Sequence, residues 1–378
     1  MYMKKIAIFG GTFNPVHIEH VSLAKSAIEE LGLDKLIVMP TFISPHKENS
    51  PAPAEDRINM LKLAFSDVPK AEVSDFEILK QGKSYTYQTV EHFSQDKDVK
   101  LYFIVGGDML VNFKTWRYPE RILACTTLAV FSRENFFVDY EKERDYFRKT
   151  FNTDFVRLNY IGKDYSSTKI RIYAKLGLSL NGLTPNGVEE YIREKGVYAP
   201  DKYEQFILKT LPEKRLKHTA DVVVCALKKT KDLGLDEEKV RIATLLHDCA
   251  KYIDYKTVKG FIIDEDVPAP VVHAFLGAYI AKQYFNVDAE IEDAIRYHTS
   301  GRANMTLLSK LVFVADMLEE GRDYEGVDKL RELYEKEDFE TCFIECLKEE
   351  FLHLMNKKQR IYIETINAYD YYVDKKGR

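Results

Sequence analysis

The sequence predicts an α/β unit with a doubly wound parallel sheet, followed by an all-α unit. Three observations predict it. Up to about residue 198, short apolar runs bounded by Gly, Pro or Ser alternate with helical patterns, as buried parallel strands joined by crossover helices do. From Asp201 onward the strand-like runs stop, and long amphipathic patterns follow, such as LPEKRLKHTADVVVCALKKT and EEKVRIATLLHDCAKYI. Between the two textures, GVYAPD (Gly196 to Asp201) punctuates the chain with Gly and Pro. The expected domains are therefore 1–199 and 200–378, within the two to three that 378 residues allow at about 150 residues each.

In chain order, the expected strands are KIAIFG, KLIVMP, KLYFIVGG, TTLAVFS and DFVRLNY. Hydrophobic residues make up 45% and charged residues 30% of the chain, so each half can bury a core rather than stay disordered. With 55 basic against 60 acidic residues and no long Lys/Arg block, a nucleic-acid partner is not expected. No run approaches the roughly 18 apolar residues of a membrane span. The opening MYMKKIAIFGG is too short in its apolar stretch for a signal peptide. Five cysteines without a CxxC pair read as reduced thiols, and the expected location is cytoplasmic.

The first strand runs into Gly10-Gly11-Thr12-Phe13-Asn14-Pro15, then His17 and His20. Glycines after a parallel strand let backbone approach a phosphate, and the next helix offers free N–H groups and a positive dipole end. Two histidines spaced i, i+3 share a helix face. A lone H-x-x-H more often marks surface histidines, but the preceding strand and glycines favour a polyphosphate here. Much later, Tyr165-Ser166-Ser167-Thr168-Lys169-Ile170-Arg171 opens another helix with capping residues, and Arg171 lies one turn in.

Together these motifs resemble the H-x-G-H and I-S-S-T-x-x-R signatures of the nucleotidyltransferase superfamily. The stretches GGTFNPVH, MPTFISPHK, DRINMLKLA, KSYTYQTV, FIVGGDML, TWRYPERIL, VFSRE and SSTKIR narrow the resemblance to bacterial nicotinate-nucleotide adenylyltransferases, over roughly residues 4 to 195. Glu19 stands at the usual glycine of H-x-G-H, Tyr165 at the first Ile of the later motif, and Gln88 where an acidic residue is usual. A carboxylate at position 19 is compatible with a triphosphate only if it points away. Pantetheine-phosphate adenylyltransferases, a related family, are shorter and usually lack the Trp and Ser-Tyr-Thr segments.

The resemblance implies a Rossmann-like nucleotidyltransferase domain and direct transfer of AMP from ATP, with Mg²⁺, to nicotinate mononucleotide. Catalysis would be positioning plus electrostatic stabilisation of crowded phosphates. It implies a phosphate clamp of His17, His20, Lys47, Ser167, Thr168 and Arg171. It places ATP along Gly10, Gly11, Thr12 and Phe13, with Gly106 and Asp108 facing the adenosine. Trp116 would stack on the pyridine ring, Tyr85 and Thr86 would meet its carboxylate, and Arg133 would touch substrate.

In the helical half, His218, His247-Asp248, His273, His298 and Asp316 fall inside apolar-patterned helices. Buried polar groups need partners, and imidazole plus carboxylate suits first-row divalent metals. A single such histidine would usually be a satisfied core residue, but this dispersed set with its adjacent His-Asp points to metal. The arrangement resembles the HD phosphohydrolase superfamily, which makes the second half an all-α HD domain. The resemblance implies that His218, His247, Asp248 and Asp316 hold one metal. His273 and His298 would add a second, with Asp248 bridging. VVHAFLGAYIAKQYF, IEDAIRYHTSG and LVFVADMLEEGR resemble the bacterial branch that cleaves diadenosine tetraphosphate to two ADP, over roughly 205 to 335. That branch implies two divalent transition metals, iron first, although the residues also accept manganese or zinc. Lys251 and Arg322 would grip distal phosphates of the dinucleoside polyphosphate. The residues also leave open a nucleoside monophosphate, a cyclic dinucleotide or a nucleotide-sensing role. The tail through YIETINAYDYYVD carries no readable motif.

Overall fold

Each apolar run of the first half folds as a strand. The computed structural model describes residues 3–43, 52–134, 136–163, 165–336, 338–358 and 360–374. The chain begins β1 (Lys4–Gly11), α1 (Ile18–Leu31), β2 (Lys35–Pro40), α2 (Ala54–Phe65), β3 (Ala71–Val73), α3 (Phe76–Lys80) and α4 (Thr86–Phe93). It continues β4 (Val99–Gly106), α5 (Gly107–Val111), α6 (Pro119–Cys125), β5 (Thr127–Arg133), α7 (Tyr140–Phe151), β6 (Val156–Gly162), α8 (Ser167–Lys175) and α9 (Val188–Lys195).

All six strands pair in parallel, in the order β3-β2-β1-β4-β5-β6. This is a Rossmann-like doubly wound sheet. Sequence periodicity finds five of its strands; β3 is three residues long at one edge, too short to carry a pattern. The central strands are apolar throughout because helices cover both faces: from Leu101 to Gly106 every residue of β4 is buried. One face packs Ile8, Ile37, Phe103 and Val130 against Leu110, Phe113, Ile122 and Phe147. Strand order reverses between β1 and β4, so their C-terminal ends, Gly10-Gly11 and Gly106, open the crevice where such sheets bind ligands.

The second half holds α10 (Lys202–Thr210), α11 (Glu213–Thr230), α12 (Glu237–Leu246), α13 (Val272–Phe285), α14 (Ala289–Tyr297), α15 (Leu307–Leu318), α16 (Val327–Lys336), α17 (Phe339–Asn356) and α18 (Ile363–Tyr372). Their starts are written in the sequence. Asp236, Thr306 and Asp338 cap α12, α15 and α17 by accepting first-turn N–H groups. Helices α11, α12, α14 and α15 pack on one another and bury Val222, Val223, Ala243, Leu246, Ala294, Ile295 and Val312.

The chain divides into two compact units, Met1–Ala174 with Ser179–Ala199, and Lys175–Leu178 with Pro200–Arg378. All five cysteines are free thiols. Among the described residues no helix is long and apolar enough to cross a membrane.

Candidate functional site

In the α/β unit the loop after β1 is held open by its own residues. Phe13 sits at φ 47°, in the left-handed region that bulky residues seldom adopt. Its ring packs edge-on to Phe9 and His20, at 5.3 and 4.9 Å between centroids. A Cβ on Gly11 would lie 3.0 Å from that ring, so glycine lets the strand end approach the loop. His17 is the residue before α1 rather than part of it, with extended backbone (φ −131°, ψ 170°). Its ring stacks on that of His20 at 3.5 Å. The His17 backbone N–H donates to His20 Nδ1 at 3.1 Å. In a neutral ring this leaves the His20 proton on Nε2, a donor of the kind that an oxyanion accepts from. Burial, then the Arg133 charge, lowers the pKa of His17 to about 3.

The second motif meets this loop. Ser167 Oγ donates to the Pro15 carbonyl at 3.0 Å. Arg171 donates to the Asn14 carbonyl at 2.9 Å and to Thr168 Oγ1 at 3.0 Å. A Cβ at Gly106 would lie 2.5 Å from Asp108 Oδ1, so glycine leaves that carboxylate its present place. Arg133 Nε stands 3.9 Å from that oxygen. Tyr85 precedes α4 and is covered by the Arg117 guanidinium at 4.7 Å. Ser84, beside it, accepts from the Phe42 N–H at 3.0 Å, which ties Tyr85 and Thr86 to the chain after β2. Trp116 is half-buried, 5.2 Å from Phe113. Lys47 lies outside the described residues.

Three residues that sequence reading missed brace the loop. Arg57 is 1% exposed and donates to the carbonyls of Thr12, Thr41 and Phe42 at 2.9, 2.7 and 3.4 Å. Tyr198 OH donates to Asn14 Oδ1 at 2.7 Å. Tyr160 OH donates to Glu19 Oε1 at 2.6 Å, and the Lys163 N–H adds a 2.8 Å bond. No spacing rule singles these out, since each acts from a distant element.

In the helical unit all six expected residues converge. They form overlapping triads, among them His218, His247, Asp248 and Asp248, His273, His298, with ligand atoms within 4.8 Å of one another. His218, His273 and Asp316 lie within helices as expected, and the expectation is corrected for His247, Asp248 and His298, which lie just beyond helix ends. Only His218 lies in the middle of a helix. His247 and His298 follow the last turns of α12 and α14, His273 opens α13 and Asp316 closes α15. The reason is hydrogen bonding: the last carbonyls of a helix lack partners. Thr244 O and Ile295 O therefore accept from Nδ1 of His247 and His298 at 2.6 and 2.8 Å.

With Nδ1 so engaged, Nε2 of each neutral ring turns a lone pair on the cluster. Nε2 of His273 and His298 stand 3.3 Å apart. Among the described residues, His218 Nε2, His247 Nε2 and Asp248 Oδ1 are buried without a hydrogen bond. Convergent buried lone pairs repel unless a cation lies among them, so this donor set fits divalent metal. Burial holds the pKa of His247 down to about 3. Burial would raise that of Asp248, but His247, His273 and His298 hold it well below the carboxylate range.

Two features were not anticipated. Glu319, 3% exposed, accepts from His218 Nδ1 at 2.9 Å, and Arg215 donates to Asp248 Oδ2 at 2.8 Å. Each lies three residues from a member of the set, Glu319 after Asp316 and Arg215 before His218, a helical spacing that would have found them. Lys251 approaches Asp248 and His273 at 3.4 and 3.0 Å, and Arg322 pairs with Asp316.

The cytidylyltransferase-like family model matches residues 8–172 and the HD domain model matches 215–321. A "probable nicotinate-nucleotide adenylyltransferase" of Clostridium acetobutylicum is 41% identical over 199 residues, 52% of this chain and 100% of the relative. A relative of that name from Clostridium tetani is 38% identical over 201 residues, again its full length. The chain belongs to the nicotinate-nucleotide adenylyltransferase family. A Mycoplasma genitalium protein, "probable nicotinate-nucleotide adenylyltransferase/Ap4A hydrolase", is 31% identical over 332 residues, covering 85% of this chain and 89% of its own length. This adenylyltransferase thus carries an HD domain behind its Rossmann-like unit. Within the signature, Glu19 stands in place of glycine, and Tyr160 and Lys163 draw its carboxylate to the end of β6.

Proposed function

We propose that the chain is a bifunctional enzyme. Its first unit, residues 1–199, transfers AMP from ATP to nicotinate mononucleotide. Its second, 200–378, hydrolyses diadenosine tetraphosphate to two ADP with two divalent transition metals, iron first. The observation that carries this reading is the Asp248 cluster: two triads share one carboxylate, in a chain whose first unit resembles adenylyltransferases along their whole length.

In the first reaction, a phosphate oxygen of nicotinate mononucleotide attacks the α-phosphorus of ATP. The bond to the β-phosphate oxygen breaks, and pyrophosphate leaves with Mg²⁺. No side chain becomes covalently attached, so the protein's work is positioning and charge stabilisation. His17, His20, Ser167, Thr168 and Arg171 hold the ATP phosphates, with Lys47 as a further clamp residue. Gly106 and Asp108 face the adenosine. Trp116, Tyr85, Thr86 and Arg133 seat the second nucleotide.

In the second reaction, His218, His247, Asp248 and Asp316 hold one ion, and His273 and His298 with Asp248 hold the other. When bound, such ions supply Lewis-acid stabilisation of phosphate charge and a water acidic enough to attack phosphorus. Arg215, Lys251 and Arg322, already within ion-pair reach of the carboxylates, neutralise and orient the polyphosphate. Glu319 fixes the His218 ring through Nδ1.

A paired assay tests both halves. One arm supplies ATP and nicotinate or nicotinamide mononucleotide; the other supplies diadenosine tetraphosphate with iron, manganese or zinc. The expected results are a preference for nicotinate in the first arm and metal-dependent ADP release in the second. Equal kcat/KM for the two mononucleotides removes the first assignment, and metal-independent or absent ADP release removes the second.

A further inference from the structure

Two adjoining cavities lie beside the Asp248 cluster, one lined by His273 and the other by Thr299, the residue after His298. One, of about 600 Å³, is lined by Lys251 and His273 of the cluster and by Tyr255, Phe261 and Ile262. The other, of about 610 Å³, is lined by Thr299, Ser300, Glu350, His353, Tyr362 and Thr365. Thr299 ties it to the cluster, since its hydroxyl stands 3.0 Å from His298 Nε2. The cavities share Glu265, Val267 and Ala269, which form the rib between them. Each falls within the ~300–1,000 Å³ of a small-molecule site. The first cavity thus touches the cluster through His273 and the second through Thr299, whose hydroxyl bonds His298.

We infer that each chamber seats one nucleoside of a two-ended substrate, and that α17 and α18 form the second seat. The inference rests on the hydrolase reading above and adds to it where the two ends lie. A phosphate chain cut near its midpoint leaves similar bulk on either side of the cut, which two chambers of similar volume accommodate. A substrate with a single nucleoside fills only one. The chemistry of the chambers differs. The first offers the aromatic pair Tyr255 and Phe261, 6.4 Å apart, and Lys251 for phosphate. The second offers the Tyr362 ring together with hydroxyl, carboxylate and imidazole groups that can bond a base edge. The tail helices, which carry no motif, gain a role in substrate recognition.

The test narrows the second chamber from its rim. His353 is an exposed residue of α17, so His353→Trp adds bulk there without entering the core. The full-length, metal-loaded protein is assayed with diadenosine tetraphosphate and with adenosine 5′-tetraphosphate, which has one nucleoside. His353→Trp is expected to lower kcat/KM at least tenfold for the two-ended substrate and less than twofold for the other. Phe261→Ala, in the first chamber, is expected to lower both. Equal loss on both substrates with His353→Trp, or no loss on either, overturns the inference. If the parent protein cleaves neither substrate, the hydrolase reading fails by itself. Equilibrium dialysis then reads the seats, using a methylene-bridged diadenosine tetraphosphate with nicotinate adenine dinucleotide saturating the other unit. A tenfold weaker binding by His353→Trp supports two seats, and unchanged binding overturns them.

Discussion

Glu19 accepts a 2.6 Å hydrogen bond from the phenol of Tyr160 and a 2.8 Å bond from the Lys163 N–H. The carboxylate that replaces the usual glycine is therefore a tie between the first turn of α1 and the end of β6. Burial, then the Glu19 contact, raises the Tyr160 pKa, so the phenol stays a donor at neutral pH. The substitution has been turned from a charge near phosphate into a brace for the chain leading to Ser167.

From this follows the first prediction. Glu19→Gln keeps an acceptor for both donors while removing the charge, and should leave kcat/KM for ATP within about threefold. Glu19→Ala leaves both donors unpaired, and should cost about 1–2 kcal/mol of stability in thermal unfolding without raising the rate. A large gain in kcat/KM with Glu19→Gln would show that the charge does repel ATP.

His17 gives a second test, with a sign. Its folded pKa of about 3 lies below the ordinary 6.5, so between these values the unfolded chain binds a proton that the folded chain does not. Stability contributed by the neutral ring is present above about pH 6.5 and is lost as pH falls toward 3. His17→Gln should therefore show a smaller drop in melting temperature between pH 7 and 5 than the parent. His17→Ala should also cut adenylyl transfer by about 10²–10³-fold, as losing one preorganised contact to a developing charge does. Near-normal turnover would remove His17 from the clamp.

Arg57 tests the brace beneath the loop. A buried guanidinium that holds three carbonyls has no shape-matched neutral substitute. Arg57→Met should destabilise the α/β unit by about 3 kcal/mol, because the carbonyls it served lose charge-assisted bonds. Arg57→Lys, with one ammonium in place of the fork, should recover part of the stability and raise KM for ATP. Unchanged unfolding of both variants would show that the loop stands without it.

How far the sequence disclosed all this varies by kind of interaction. Strands β1, β2, β4, β5 and β6 were legible because a sheet covered on both faces is apolar in every residue. The His and Asp cluster of the helical unit was legible because His and Asp are unusual among apolar residues. Arg57 and Tyr198 were not, because each reaches a loop far from it in sequence and nothing local distinguishes it from a solvated residue. The helix-end positions of His247 and His298 were hidden for another reason. Apolar periodicity continues into LLHDCA and AIRYH, whereas the Nδ1 bonds to Thr244 O and Ile295 O that close each helix leave no mark on that pattern.

Asp248 carries the last prediction because two triads depend on it. In the folded protein it is 2% exposed and ionised, its pKa held well below the usual range despite burial. A carboxylate so placed has to be matched by positive charge; Arg215 bonds one oxygen at 2.8 Å and Lys251 stands 3.4 Å from the other. Asp248→Ala should therefore abolish binding of both ions and hydrolysis of diadenosine tetraphosphate, while His273→Ala or His298→Ala leaves partial occupancy by elemental analysis. Metal binding to the folded set alone stabilises that unit by mass action. A chelator should thus lower the melting temperature of the parent and leave that of Asp248→Ala unmoved. Adenylyl transfer should survive in all three variants, and in a fragment ending near Ala199, since the residues proposed to hold the ATP phosphates belong to the other unit. Hydrolysis at the parent rate by Asp248→Ala, or a parent protein that takes up no transition metal under anaerobic conditions, would remove the metal centre from this account.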